Sequence, residues 1–166
     1  MTSGSKRSGL PVDPDVAIGA RGRAVGAGWD IVLAIACGGA LGSLARWGIG
    51  EALAGPRTRF PWATFLENTT GAFALGVLMV LVVERWPASR YVRPFLAVGV
   101  LGGYTTFSTY LADTRSLVVG DRVALAAVYL FGTLTAGLLA VWLGMALARL
   151  LLADTHRRSR HREGAS

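Results

Sequence analysis

Four stretches of this chain are apolar on every side, and that property restricts what it can fold into more than any other. They run from about Ile31 to Leu53, Phe60 to Val83, Val92 to Val119 and Val123 to Leu152. Each reaches or exceeds the roughly 20 residues a helix needs to cross roughly 30 Å of hydrocarbon. A soluble helix of that length would carry an apolar stripe and a polar face. In lipid, every backbone polar group needs a partner inside the segment, so the stretches predict helices. The expected fold class is therefore all-α integral membrane, with four transmembrane helices in one domain.

The charges tell the same story. The net charge of +7 suits a nucleic-acid binder in principle, but the basic residues flank the apolar spans instead of forming a face with interleaved aromatics. Nucleic acid is not an expected partner; a lipid bilayer is. Residues 1–28 mix Gly, Ser, Pro and charge and predict a disordered tail, 29–152 a four-helix transmembrane domain, and 153–166 a basic tail. No short apolar segment with a cleavage site precedes the first span, so residues 1–28 do not read as a signal peptide. An even number of spans puts both termini on one side. Of 17 Lys and Arg, twelve lie on the side of the termini, in the two tails, the loop between the second and third spans and the adjoining span ends (Arg93, Arg149), and four lie on the opposite side. The positive-inside rule then predicts cytoplasmic termini in a plasma (inner) membrane protein. Cys37, the single cysteine, allows no intrachain disulfide and reads as a small residue packed between helices.

Three polar features interrupt the spans. The most specific is Gly99-Val-Leu-Gly102-Gly103-Tyr104-Thr105-Thr106-Phe107-Ser108-Thr109-Tyr110 in the third. Adjacent glycines followed by four hydroxyl residues among aromatics invite a break in that helix near mid-membrane. Irregular backbone at that depth survives only where it faces protein or a water-filled cavity, and carbonyls freed there could hold a hard cation. Close helix packing through Gly99 and Gly103 is the competing reading. The second feature, Glu67-Asn68-Thr69-Thr70, offers hydrogen-bond donors to an anion or between helices, with a carboxylate that is costly in lipid. The third is Arg46, either an interfacial anchor or a source of positive potential for an anion.

Over residues 31–150 the sequence resembles the CrcB/Fluc family of fluoride channels. The resemblance rests on Gly38-Gly39-Ala40-Leu41-Gly42 through Arg46, Thr64 and Asn68 with Gly71-Ala72-Phe73, Arg93-Pro94-Phe95, and above all Gly102 to Thr109. It implies an antiparallel (dual-topology) dimer with two narrow pores and a central structural Na+ held by backbone carbonyls, which fall on Gly102 and Thr105. Fluoride would meet aromatic ring edges at Phe107 and Tyr110, in a pore with Asn68, Ser108, Thr109, Tyr129, Thr133 and Arg46. An aromatic edge carries the positive part of the ring quadrupole and so suits a small anion. Asp113 stands where the family usually has Glu. Two positions depart from the pattern. Tyr110 replaces a phenylalanine, and Glu67 occupies a normally apolar place, where it is expected to face a partner helix, pair with a basic group or be protonated.

The charge bias carries a consequence of its own. An antiparallel homodimer inserts one chain both ways, whereas twelve charges against four favour one orientation, so the partner is expected to be either a second copy or an oppositely inserted homologue. The rival function is a small proton-coupled multidrug exporter, which needs a titratable carboxylate facing its chamber; Glu51 ends the first span and Glu67 lies in the second. An enzyme is not expected, since the spans hold no Ser/His pair, no His-Glu-x-x-His and no paired aspartates.

Overall fold

A computed structural model describes residues 28–55, 59–84 and 90–153, and the helical backbone of 154–163. The tail expected to be disordered, apart from Gly28, lies outside the described residues. Helix α1 spans Trp29–Ala52 and α2 spans Trp62–Glu84. Helix α3, Arg93–Leu101, is wound as a π-helix with Pro94 in its first turn, where a missing N–H costs nothing. It passes directly into the single turn α4, Gly102–Tyr104. Helix α5 is Phe107–Val119 and α6 is Val123–Glu163. Four segments are long and apolar enough to cross a membrane: Trp29–Ala52, Trp62–Glu84, Arg93–Val119 and Val123–Ala153. The outward faces are apolar, with Leu33, Leu44, Phe131 and Leu138 all largely exposed, as lipid in place of water requires.

Two seams of small residues organise the bundle. Against α1, a Cβ on Gly42 would collide with the Val100 carbonyl, one on Gly38 with the Phe95 carbonyl, and one on Gly103 with the Gly39 carbonyl. Between α2 and α6, a Cβ on Gly76 would strike the Val141 carbonyl and one on Gly144 the Phe73 carbonyl. Lipid tails are as apolar as leucine, so helices gain little by hiding apolar surface. They associate by backbone approach and van der Waals contact, which small residues permit. Gly99 and Gly103 thus serve packing on α1. Cys37 does not pack between helices; it is exposed on the outer side of α1.

A compact cluster of Tyr110, Leu117, Ala126 and Tyr129 joins α5 to α6, with Phe60 and Phe65 against it. The α5–α6 turn closes with Asp121 in the left-handed region at φ 56°, a conformation Asp tolerates, and with Arg122 N donating to the Leu117 carbonyl at 2.9 Å. At the other end Asp30 ties the start of α1 to the start of the third span, accepting from Arg90 Nη2 at 3.2 Å and from Tyr91 Oη at 2.7 Å. That carboxylate raises the Tyr91 phenol above its ordinary pKa.

Helix α6 outruns the apolar stretch that predicts it. The apolar run stops near Leu152, but the helix continues to Glu163 because Ala153 to Glu163 contains no Gly or Pro.

Candidate functional site

Between α4 and α5 two residues are extended, Thr105 at φ −82°, ψ 157° and Thr106 at φ −147°, ψ 125°. Thr105 N still donates to the Leu101 carbonyl at 2.9 Å, and the other three backbone groups are satisfied from α1 and α2. Thr106 N donates to Asn68 Oδ1 at 2.8 Å, and Asn68 Nδ2 donates to the Thr106 carbonyl at 2.9 Å. The Asn68 amide therefore stands in for helical partners, with one Nδ2 hydrogen left over. Arg46 Nη1 donates to the Thr105 carbonyl at 3.3 Å, which places the guanidinium at this extended pair and not on a cavity wall. Thr106 also caps α5, its Oγ1 accepting from Thr109 N at 3.1 Å and donating to Thr109 Oγ1 at 3.0 Å. Ser108 Oγ lies 3.3 Å from the same hydroxyl.

Beside this crossing lies an open groove of about 330 Å³, walled by Asn68, Thr106, Phe107, Tyr110, Thr133 and the α6 surface around Leu138. Phe107 is 71% exposed, and its ring centroid sits 5.9 Å from that of Tyr110. Tyr110 itself is buried and donates its hydroxyl to the Leu130 carbonyl, so the hydroxyl is engaged with α6. Thr133 is buried, and its hydroxyl has no partner. Such a group is costly to strand and marks a place for a ligand or water.

A second cavity, about 460 Å³, opens at the α1–α2 connection and contains Arg59, Trp62, Thr64, Asp113 and Ser116. Thr64 Oγ1 donates to Asp113 Oδ2 at 2.7 Å, and Tyr129 Oη lies 3.4 Å from the same oxygen. Tyr129 is fully buried and lines neither cavity. Its ring is wedged between Phe60, at 5.4 Å, and Tyr110, at 5.4 Å. Thr64 precedes Asn68 by one turn of α2, and Tyr110 precedes Asp113 by one turn of α5. The two cavities thus follow one another along the same helix pair, with Thr64, Asp113, Tyr129 and Tyr110 between them. Glu67 is 3% exposed and lines neither cavity; the charges that reach it are Arg46 and Asp113.

The carbonyls at Gly102 and Thr105 suit a hard cation in one respect each. In an unbroken helix Gly102 would receive Thr106 N, but that donor goes to Asn68. Gly102 is also exposed, its only neighbour within 4 Å of a built Cβ being the Ala97 carbonyl at 4.0 Å. The Thr105 carbonyl accepts Arg46 with one lone pair and keeps the other. No cluster of three or more His, Cys, Asp or Glu occurs among the described residues, so oxygen from the main chain is the ligand on offer.

Reasoning from sequence did not find the Thr64–Asp113 hydrogen bond or the cavity beside it. The available signal was the spacing of Thr64 and Asn68, one turn apart on α2, which puts both on one helix face.

The profile of the family described as CrcB-like protein, Camphor Resistance (CrcB), matches residues 33–145. The chain is 50% identical over 123 residues to the fluoride-specific ion channel FluC 3 of Streptomyces avermitilis, covering 74% of this chain and 60% of that protein. It is 51% identical over 119 residues to FluC 2 of Nocardia farcinica, covering 72% and 85%. With FluC of Thermus thermophilus the identity is 44% over 126 residues, covering 75% and 98%.

Proposed function

This chain belongs to the CrcB family, and from that premise we propose that it is a fluoride-specific channel that passively exports fluoride from the cytoplasm. The observation that carries the reading is the groove at the Asn68–Thr106 crossing. It is lined by the exposed aromatic ring of Phe107, by Asn68 with a spare amide hydrogen and by Thr133 with its unpartnered hydroxyl. The fluoride-specific channels to which the chain is similar support the choice of ion.

Fluoride holds its water tightly, so a narrow path admits it only by replacing water with donors that do not bind it permanently. The ring edge of Phe107 supplies weak positive potential without a formal charge, and the amide and hydroxyl supply hydrogen bonds. Fluoride enters a cell as the neutral acid and is trapped as the anion in a less acidic cytoplasm. The membrane potential then drives it out through a passive pore.

Phe107, on the groove wall, and its neighbours in the third span Ser108 and Gly102 are exposed, which supports a working unit of two subunits. In this reading the partner is antiparallel, either a second copy or a homologue. The extended Thr105–Thr106 pair is the functional break in the third span, and the Gly102 and Thr105 carbonyls would hold a structural Na+, which would supply positive charge at the centre of the assembly. Arg46 donates to the Thr105 carbonyl from α1 and so fixes that peptide plane. The multidrug-exporter reading gains nothing from Glu67, whose carboxylate lines neither cavity.

Fluoride efflux from liposomes, followed with a fluoride electrode, tests the proposal. The expected result is efflux of fluoride without chloride, abolished by Phe107→Ile. Equal release of both anions, or unchanged efflux from the variant, would overturn it. Silence from this chain alone that is relieved by co-reconstitution with a homologous subunit would assign the partner.

A further inference from the structure

Glu67 is a buried carboxylate that the groove leaves unused, and its place on α2 gives it a partner. It is next to Asn68, whose amide holds Thr106, and one turn before Gly71, where a Cβ would strike Thr105 Cγ2. Residues four apart share a helix face, so Glu67 occupies the α2 face that meets the extended Thr105–Thr106 pair. Arg46 comes to that pair from α1, its Nη1 donating to the Thr105 carbonyl at 3.3 Å. A carboxylate and a guanidinium thus converge on one residue from two helices.

Two charged side chains reach Glu67, those of Arg46 and Asp113. Asp113 has the same sign and is served by hydroxyls, with Thr64 Oγ1 donating to it at 2.7 Å and Tyr129 Oη at 3.4 Å. Arg46 needs an anion, because a neutral carbonyl leaves its full charge inside a membrane span, where charge is costly unless paired. Arg46 and Glu67 make no direct ion pair among the described residues, where the close pair is Asp30–Arg90. They compensate across space, as the low permittivity inside a protein permits.

We infer that Glu67 is ionised and is the counter-charge of Arg46, a positioning residue that keeps the Thr105–Thr106 crossing electrically neutral beside the groove. Its consequence for conduction rests on the fluoride-channel reading; the pair itself does not. A conducting site must bind its ion weakly enough to release it, and an uncompensated guanidinium would hold fluoride by charge alone. With Glu67 in place, the anion meets the neutral groups of the groove at Phe107, Asn68 and Thr133.

The test begins with Glu67→Gln in the full chain, which keeps the shape of the side chain and removes its charge. Infrared difference spectra between parent and variant, in lipid at neutral pH, should show the loss of an ionised carboxylate band. Loss of a protonated carboxyl stretch instead overturns the inference, whatever the Arg46 variants do. Glu67→Gln should also lower the thermal midpoint of the parent but not that of Arg46→Gln, because breaking a buried pair strands a charge only while the partner is present. Equal lowering in both backgrounds, or none in either, overturns the pair. In liposomes, Glu67→Gln should lower both the half-saturating fluoride concentration and the maximal efflux rate severalfold, while Glu67→Asp restores both. An unchanged half-saturating concentration with a lowered midpoint would make Glu67 purely structural and overturn its part in conduction. A parent that passes no fluoride would overturn the channel reading and that part with it, while the infrared and midpoint measurements still decide the pair.

Discussion

The two halves of the third span are held in place by opposite means. From Arg93 to Tyr104 the chain lies against α1 along Gly38, Gly42, Gly99 and Gly103, backbone on backbone, with almost no side chain between. From Thr106 to Val119 it is held by side chains: Asn68 at the crossing, Thr64 on Asp113, the Tyr110 hydroxyl on α6, and the apolar cluster of Tyr110 and Leu117 with Ala126 and Tyr129. Neither of the two cavities is lined by residues 93–104, whereas both are lined by residues from Thr105 onward. Substitutions in the first half should therefore damage assembly, and those in the second should damage conduction with smaller effects on assembly.

The strongest challenge to that division is Gly42→Val. Its branched side chain would occupy the position of the Val100 carbonyl, so α1 and α3 must separate along the seam. Ordinary overpacking costs about 1–3 kcal/mol, and backbone on both sides leaves no side chain to yield, so a loss of at least about 3 kcal/mol is expected. Yield of monodisperse protein in detergent and its thermal midpoint measure this. A variant that purifies like the parent would show that the seam is looser than it looks.

Asn68→Leu should come next, with both kinds of damage at once. It removes both hydrogen bonds to Thr106, which is buried, and leaves an N–H and a C=O without partners at about 1–3 kcal/mol each. Fluoride efflux should be lost and the thermal midpoint lowered. Asn68→Asp retains an acceptor for Thr106 N but brings negative charge to the groove, so it should recover stability more than efflux. Equal recovery of both would argue that Asn68 only braces the crossing.

How much of this was visible in the sequence follows the same division. The spans were legible because hydropathy decides them; α1 and α2 begin and end within two residues of the apolar stretches that predict them. The packing role of Gly99 and Gly103 was legible from their spacing. Gly102 was not separable from Gly103 by pattern, because adjacent helical residues point about 100° apart and only the position of α1 says which one meets it. The fourth apolar span ends within one residue of where hydropathy puts it, at Ala153, while the helix itself runs on to Glu163 for another reason. Hydropathy reports where lipid stops, whereas arginine, alanine and leucine favour helix on either side of that boundary. The Asp113–Thr64–Tyr129 cluster joins α2, α5 and α6 across long sequence separations, and no local signal encodes such a meeting.

Phe107→Ile sharpens the contrast from the other side. With 71% of its surface exposed, Phe107 contributes little to packing within the subunit, and substitution there should change the stability of the isolated chain by no more than about 0.5 kcal/mol. Loss of efflux at unchanged thermal midpoint would separate the conducting role from the structural one. A large drop in midpoint would instead mean that the ring is packed against a partner subunit in the sample.

The smallest expected effect belongs to Tyr110→Phe. The Tyr110 hydroxyl is committed to the Leu130 carbonyl, so it is not the part of the residue turned toward the groove. Removing it deletes one hydrogen bond, worth about 0.5–1.5 kcal/mol, and leaves the ring against Phe107 and Tyr129. The Leu130 carbonyl lies inside α6, where Leu134 N can still serve it, so little strain follows. Efflux should stay within about twofold of the parent, since less than about 0.4 kcal/mol separates rates that differ by that factor. If efflux fell by tenfold or more, the hydroxyl would have to be released from Leu130 during conduction. Tyr110 would then supply a donor where a ring edge was expected.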